Sequence, residues 1–225
     1  MNIQIEHGPA YALAVCRLDA GDAIRAESGA MVSMSPGLRV ETGTRAGGRG
    51  GILKGLARTL LAGESFFLNV FHADSGPGEV TLAPSNVGDV AVHPLDGELY
   101  IQSSCYLASH PDVQIDTKVA GFRNWFGGKG LFMLKASGRG PVLLSSFGAL
   151  HVMDLDGPFV LDTGHVVAFE PTLDFSIRRV GSWFSTFFSG EGFVCRFEGR
   201  GRLWFQTHNP VAFGSLVGPK LPPRS

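Results

Sequence analysis

Seven histidines carry most of the metal-ligating potential of this 225-residue chain, and their spacing argues against using it. A cupin-like metal site needs two histidines close together, a glutamate soon after and a third histidine on a later strand. His72, His93, His110, His151, His165 and His208 are each isolated, and no HxH, HExxH or CxxC pattern occurs. They read as ordinary core and surface residues, so no metal and no cofactor is expected. Cys16, Cys105 and Cys195 are odd in number and far apart, the pattern of buried thiols in a reducing compartment.

The glycine-rich stretch Thr42–Gly51, with Arg45 and Arg49, leads to Lys54 and resembles a phosphate cradle. The GxxxxGK[ST] spacing is absent, because Gly55 and Leu56 follow the lysine. Gly127-Gly128-Lys129-Gly130 also lacks the hydroxyl residue. Ser65, between Glu64 and Phe66, has neither a GxSxG elbow nor a histidine partner and reads as a strand entry. Arg39, Arg45, Arg49, Lys54 and Arg58 form a basic stretch opposed by Glu41. A net charge of −1 gives the whole chain no attraction for nucleic acid, which is not an expected partner.

The elements that would position these residues recur. Leu-Asp-Gly followed by an apolar run and a proline occurs at Leu95–Gly97 with Pro111 and at Leu155–Gly157 with Pro171, 14 residues from Gly to Pro each time. A looser version runs from Leu18–Gly21 to Pro36. Gly-x-Gly recurs at Gly76–Gly78, Gly138–Gly140 and Gly199–Gly201. A glycine-charge step into an apolar strand recurs at Gly63-Glu64, Gly128-Lys129 and Gly190-Glu191. Such spacing predicts three pseudo-repeats of roughly 60 residues. They are cut at about 50–119, 120–180, and 181–208 completed by 12–44. The expected fold is all-β: one domain over 1–215, a closed β-sandwich or β-prism-like unit with short connecting helices, and a loose tail over 216–225. Closure would bury edges that an open array exposes.

Composition agrees with this class. Charged residues are 17% and glycines number 31, which suits short strands and tight turns. No apolar run reaches membrane-spanning length, and the N-terminus lacks a basic start with a long apolar region, so the expected location is cytoplasmic. Alternation predicts strands over Asn2–Glu6, Tyr11–Arg17, Ile24–Glu27, Ala30–Met34 and Leu38–Glu41. Further strands are expected over Phe66–His72, Glu79–Ala83, Asp89–Val92, Glu98–Ser103, Leu131–Lys135, Val142–Ser146 and Ala149–Met153. The last are Pro158–Asp162, Val166–Phe169, Leu173–Ile177, Phe193–Phe197 and Arg202–Thr207. Ile52–Ala62 is a helix candidate, with Ile52, Leu53, Leu56 and Leu60 on one face.

Glu27-Ser28-Gly29-Ala30-Met31, then a glycine-rich segment, a basic apolar helix and Gly63-Glu64-Ser65-Phe66-Phe67-Leu68-Asn69, carry a resemblance. With Gly88 and Gln102-Ser103-Ser104, they make the chain similar to the bacterial branch of the altered-inheritance-of-mitochondria (mitochondrial biogenesis) family, from about Asn2 to Asn209. The resemblance implies an all-β fold of the tryptophan RNA-binding attenuator-like, double-stranded β-helix related group. It also implies internal duplication and homo-oligomerisation. It supplies no catalytic residue.

The functional expectation is a non-enzymatic oligomeric binding or scaffolding protein, possible at a membrane surface or against a protein partner. The partner class includes the chain itself, a trimer being one stoichiometry. The alternative is a small-molecule-binding protein or enzyme with a pocket between repeats. The candidate surface is Leu56 and Leu60; Phe122, Trp125 and Phe126; and Trp183, Phe184, Phe187 and Phe188. These either cap the ends of the β core or join in one apolar patch. Glu64, Lys129 and Glu191 hold equivalent positions and would meet if they faced a pseudo-threefold axis.

Overall fold

The structure is a computed structural model that describes residues 1–43, 67–116, 132–179 and 193–222. Within these residues the chain is all-β with one short α-helix. The first strands are β1 (Asn2–Glu6), β2 (Leu13–Leu18), β3 (Ala23–Glu27), β4 (Met31–Met34), β5 (Arg39–Gly43), β6 (Leu68–His72) and β7 (Gly78–Leu82). Then come β8 (Val90–Gln102), β9 (Tyr106–Ser109), β10 (Gln114–Asp116) and β11 (Met133–Ser145). The last are β12 (Leu150–Asp156), β13 (Phe159–Asp162), β14 (Val166–Phe169), β15 (Leu173–Arg179) and β16 (Phe193–Gln206), before helix α1 (Pro210–Val217).

One pairing scheme appears three times. Strand β11 pairs along its whole length with β8, and on its other side with β9 and β10. Strand β16 pairs with β12 and β13 on one side, and with β14 and β15 on the other. In the first set the long strand is broken into β6 and β7. Strand β7 lies between β2 and β4, and β6 lies between β3 and β5. Drawn by pairing, the three strand sets are contiguous in sequence. The cut points taken from sequence landmarks fall in the connections between β5 and β6, β10 and β11, and β15 and β16.

Corners in the long strands rest on glycine. Gly138 has φ of 123°, Gly140 145°, and Gly97 on the facing strand 126°, values that a Cβ disfavours. Gly97 and Gly138 are cross-strand partners, so both chains turn together without breaking the ladder. Three apolar cores form, and each draws residues from more than one strand set. One centres on Phe71, Leu82 and Leu107, one on Ile101, Tyr106 and Leu144, and one on Phe169, Phe197 and Leu203.

The sets join through two short ladders. Ala26 pairs with Ala108 across β3–β9, and Ile101 pairs with Ala168 across β8–β14. The corresponding third joint, β4 with β13, carries no ladder among the described strands. Among the described residues neither sheet is a closed barrel, and the expected closed unit is not found there. Two interruptions accompany the gap. The long strand of the first set is broken at Ala73–Pro77, and Pro158, which has no N–H to give a ladder, separates β12 from β13. The tail expected over 216–225 is also revised. Asn209 Oδ1 accepts from Val211 N at 2.9 Å and Ala212 N at 3.2 Å, capping α1, and a 3-10 turn follows at Gly218–Lys220.

Candidate functional site

The candidate surface residues Leu56, Leu60, Phe122, Trp125, Phe126, Trp183, Phe184, Phe187 and Phe188 lie outside the described residues. So do Glu64, Lys129 and Glu191, the helix candidate Ile52–Ala62, Ser65, Lys54, Arg45, Arg49 and Arg58. The strands at their borders are described. Gly43 pairs with Leu68, Asp116 with Lys135, and Arg179 with Phe193, so all three connections leave corresponding hairpin ends. Arg39 is described, and it is held by Asp74 at 2.6 Å, with Glu41 at 3.5 Å.

The described histidines sit in separate environments. His93 meets Trp204 edge-on at 5.0 Å between ring centres, and burial holds its imidazole below the ordinary value. His151 stacks on Phe205 at 5.2 Å, while His165 Nδ1 lies 2.8 Å from the Gln206 carbonyl oxygen. His72 lies 3.5 Å from Glu41, and His110 lies 3.5 Å from Asp112. Among the described residues no three His, Cys, Asp or Glu side chains gather at ligand distance.

Polar groups form a partly buried seam at the two closed joints. At the β3–β9 joint, Arg25 donates to the Val113 carbonyl at 2.8 Å and to the Pro111 carbonyl at 3.0 Å. Beside it the Tyr106 and Ser109 hydroxyls are 2.9 Å apart. Further along, Gln206 donates from Nε2 to the Gly164 carbonyl at 2.9 Å. Its Oε1 accepts from Phe147 N at 2.8 Å and from the Cys105 thiol at 3.8 Å. Asp162 Oδ1 accepts from Gly164 N at 2.8 Å and from Asn209 Nδ2 at 3.2 Å. Arg25 thus ties the first strand set to the second, and the Cys105–Gln206 contact ties the second to the third.

None of the three thiols, all among the described residues, is primed as a nucleophile. Burial pushes the Cys16, Cys105 and Cys195 thiols up to about 12, with nearby Glu79, Glu27 and Asp162 adding to the effect. Burial also raises the Tyr106 phenol to about 12, partly opposed by its Ser109 contact. The thiolate is the reactive form, so these cysteines are inert in the folded chain. An aromatic disulfide reagent at pH 8 is expected to titrate none of the three before denaturant is added and all three afterwards. A fast native-state thiol would overturn this.

Glu27 differs from its neighbours because its charge changes near neutrality. Burial alone raises its carboxyl from 4.5 to about 7. The folded chain therefore binds a proton there that the unfolded chain has released between these values. Stability from this group is full below pH 4.5 and is lost as pH rises to about 7, with no further change above. The expected loss is roughly 2 kcal/mol, allowing for residual hydration. Glu27→Gln should abolish this slope. Urea midpoints of the two proteins, measured from pH 4.5 to 8, check it, and parallel curves would refute it.

Arg25 and Gln206 were not candidates from sequence, although each carries a signal. Arg25 interrupts the apolar run Ala23–Ala26, and Gln206 ends Leu203–Phe205, positions where a polar side chain is buried or paired. Glu27, in contrast, heads the motif that carried the family resemblance.

A model of the family described as Mitochondrial biogenesis AIM24 matches residues 3–208. The chain belongs to the AIM24 family. An uncharacterised protein of Streptococcus pyogenes serotype M6 is 27% identical over 231 residues, covering 100% of this chain and 93% of that protein. A crystal structure of another Streptococcus pyogenes protein superposes with a TM-score of 0.81 at 26% identity, covering 98% of this chain and 99% of that one. These AIM24-like relatives are bacterial, and their descriptions assign no reaction. No helix among the described residues is long and apolar enough to cross a membrane.

Proposed function

We propose that this AIM24-family chain is a non-enzymatic binding or scaffolding protein that works as a homo-oligomer and docks on a membrane surface. The observation that carries the reading is the division between buried polar and exposed apolar groups. The thiols and Tyr106 are buried with raised pKa values, and Gln206 and Arg25 serve the backbone. Meanwhile helix α1, with no charged residue, leaves Val211, Phe213 and Leu216 exposed. A helix that is apolar on all sides is otherwise found buried or in lipid. Lys220, just beyond it, suits an anionic headgroup layer.

The test joins native mass spectrometry to vesicle sedimentation. The expected mass is a discrete oligomer of the bare polypeptide. Vesicles of phosphatidylcholine with phosphatidylglycerol should sediment the protein, and Val211→Ser with Leu216→Ser should weaken this at least tenfold. A monomer that ignores vesicles would overturn the reading. A reproducible added mass on each chain would favour the small-molecule alternative.

A further inference from the structure

The three strand sets permit a position-by-position comparison of their joints. Strand β9 is aligned on its long strand by Ser109 opposite Val142 and Ala108 opposite Leu143, with a bulge before Tyr106. Strand β14 is aligned by Phe169 opposite Leu203 and Ala168 opposite Trp204, with a bulge before Val166. Strand β4 is aligned by Met34 opposite Val80 and Ser33 opposite Thr81, with a bulge before Met31. Leu107, Val167 and Val32 are therefore the same position. The first two are 0% exposed, whereas Val32 is 60% exposed.

The partner side can be aligned in the same way. Ile101 faces Leu134 and Tyr100 faces Lys135, as Leu161 faces Cys195 and Val160 faces Arg196. Where β8 meets β14, Ile101 lies opposite Ala168 and Tyr100 opposite Phe169. The matching register on the open edges puts Leu161 opposite Ser33 and Val160 opposite Met34. Val160 is 56% exposed and Met34 39%. Both edges thus keep the sequence of a joint without its partner, and unpaired edges with apolar side chains attract strands.

We propose that β4 of one copy pairs with β13 of a second copy, in the register Ser33–Leu161 and Met34–Val160. The internal joints identify the occupant: β3 covers β9 and β8 covers β14, and β13, the strand in the corresponding position of the third set, has an outer edge with no ladder among the described strands. This rests on the oligomeric reading above and specifies its interface. The contact is heterologous, one edge against a different edge, so it extends or closes a ring according to its rotation.

Disulfide trapping tests it, helped by native thiols that are buried. Met34→Cys and Val160→Cys are made in separate chains, mixed and oxidised. The expected product is a Met34→Cys chain linked to a Val160→Cys chain, in excess over either self-linked pair. Val32→Lys, at an exposed position, should lower the native mass to that of the monomer while leaving the β-type circular dichroism unchanged. An oligomeric wild type whose mixed variants do not cross-link would overturn this interface and leave the oligomeric reading standing. A wild-type monomer would overturn both. If the doubly substituted chain links within itself as a monomer, the two edges close intramolecularly, and the proposal fails.

Discussion

Phe169→Ala is expected to destabilise the fold by about 4 kcal/mol, within the range for truncating a fully buried aromatic side chain. Phe169 is 1% exposed. Its ring centre lies 5.3 Å from those of Tyr100, Phe175 and Phe197, with Phe175 near parallel and Phe197 near perpendicular. Those partners belong to β8, β15 and β16, so a single ring fastens the β8–β14 joint to the core of the third strand set. Truncation removes the transfer energy of the ring and leaves a cavity that two-sided strand packing cannot collapse. At this chain length the midpoint of thermal unfolding should fall by about 10 °C. Val152→Ala, at an exposed position, should change stability by less than about 0.5 kcal/mol. Calorimetry on both variants checks the contrast. An equal effect would mean that the joint is not where the fold is fastened.

The structural slot that Phe169 fills shows what could be read from sequence and what could not. Its counterparts are Ser109, fully buried against the Tyr106 hydroxyl, and Met34, exposed on an open edge. Sequence landmarks indicated recurrence, but not that one position would serve as aromatic core, polar seam and free edge. Strands with clean alternation or clear ends, such as Asn2–Glu6 and Val166–Phe169, are found where expected. The long strands β8, β11 and β16 read as two strands each, because Asp-Gly and Gly-x-Gly normally signal reversals. Here facing glycines bend both partners together, and the ladder continues through Gly97 and Gly138. That cooperation depends on a residue about 40 positions away, outside any local window.

Strand β9 went unread for a different reason. Tyr106-Leu107-Ala108-Ser109 is buried on both faces, so it has no alternation to detect. Helix α1 had its start signal, Asn209 before Pro210, but Pro219, Pro222 and Pro223 dominated the reading of the terminus. The candidate surface was chosen for aromatic spacing and lies outside the described residues, whereas the polar seam depends on long-range contacts. Cys105 and Gln206 are 101 residues apart and meet at 3.8 Å.

Gln206→Leu should cost about 3 kcal/mol, despite replacing an amide by an apolar group of similar size. Gln206 is 1% exposed, and its side chain satisfies the Phe147 N–H and the Gly164 carbonyl. Leucine would leave both backbone groups buried without partners, at about 1–3 kcal/mol each. Gln206→Glu should be worse near neutral pH: it keeps an acceptor for Phe147 N–H but loses the donor to Gly164 and adds a buried charge. Hydrogen exchange distinguishes loss of the seam from general loosening. The Phe147 amide should exchange far faster in Gln206→Leu, while the Leu143 amide, inside the β8–β11–β9 ladders, falls only with global stability. A neutral substitution with Phe147 still protected would mean that the backbone has other partners there. The link between the second and third strand sets would then rest on the β8–β14 ladder and apolar packing.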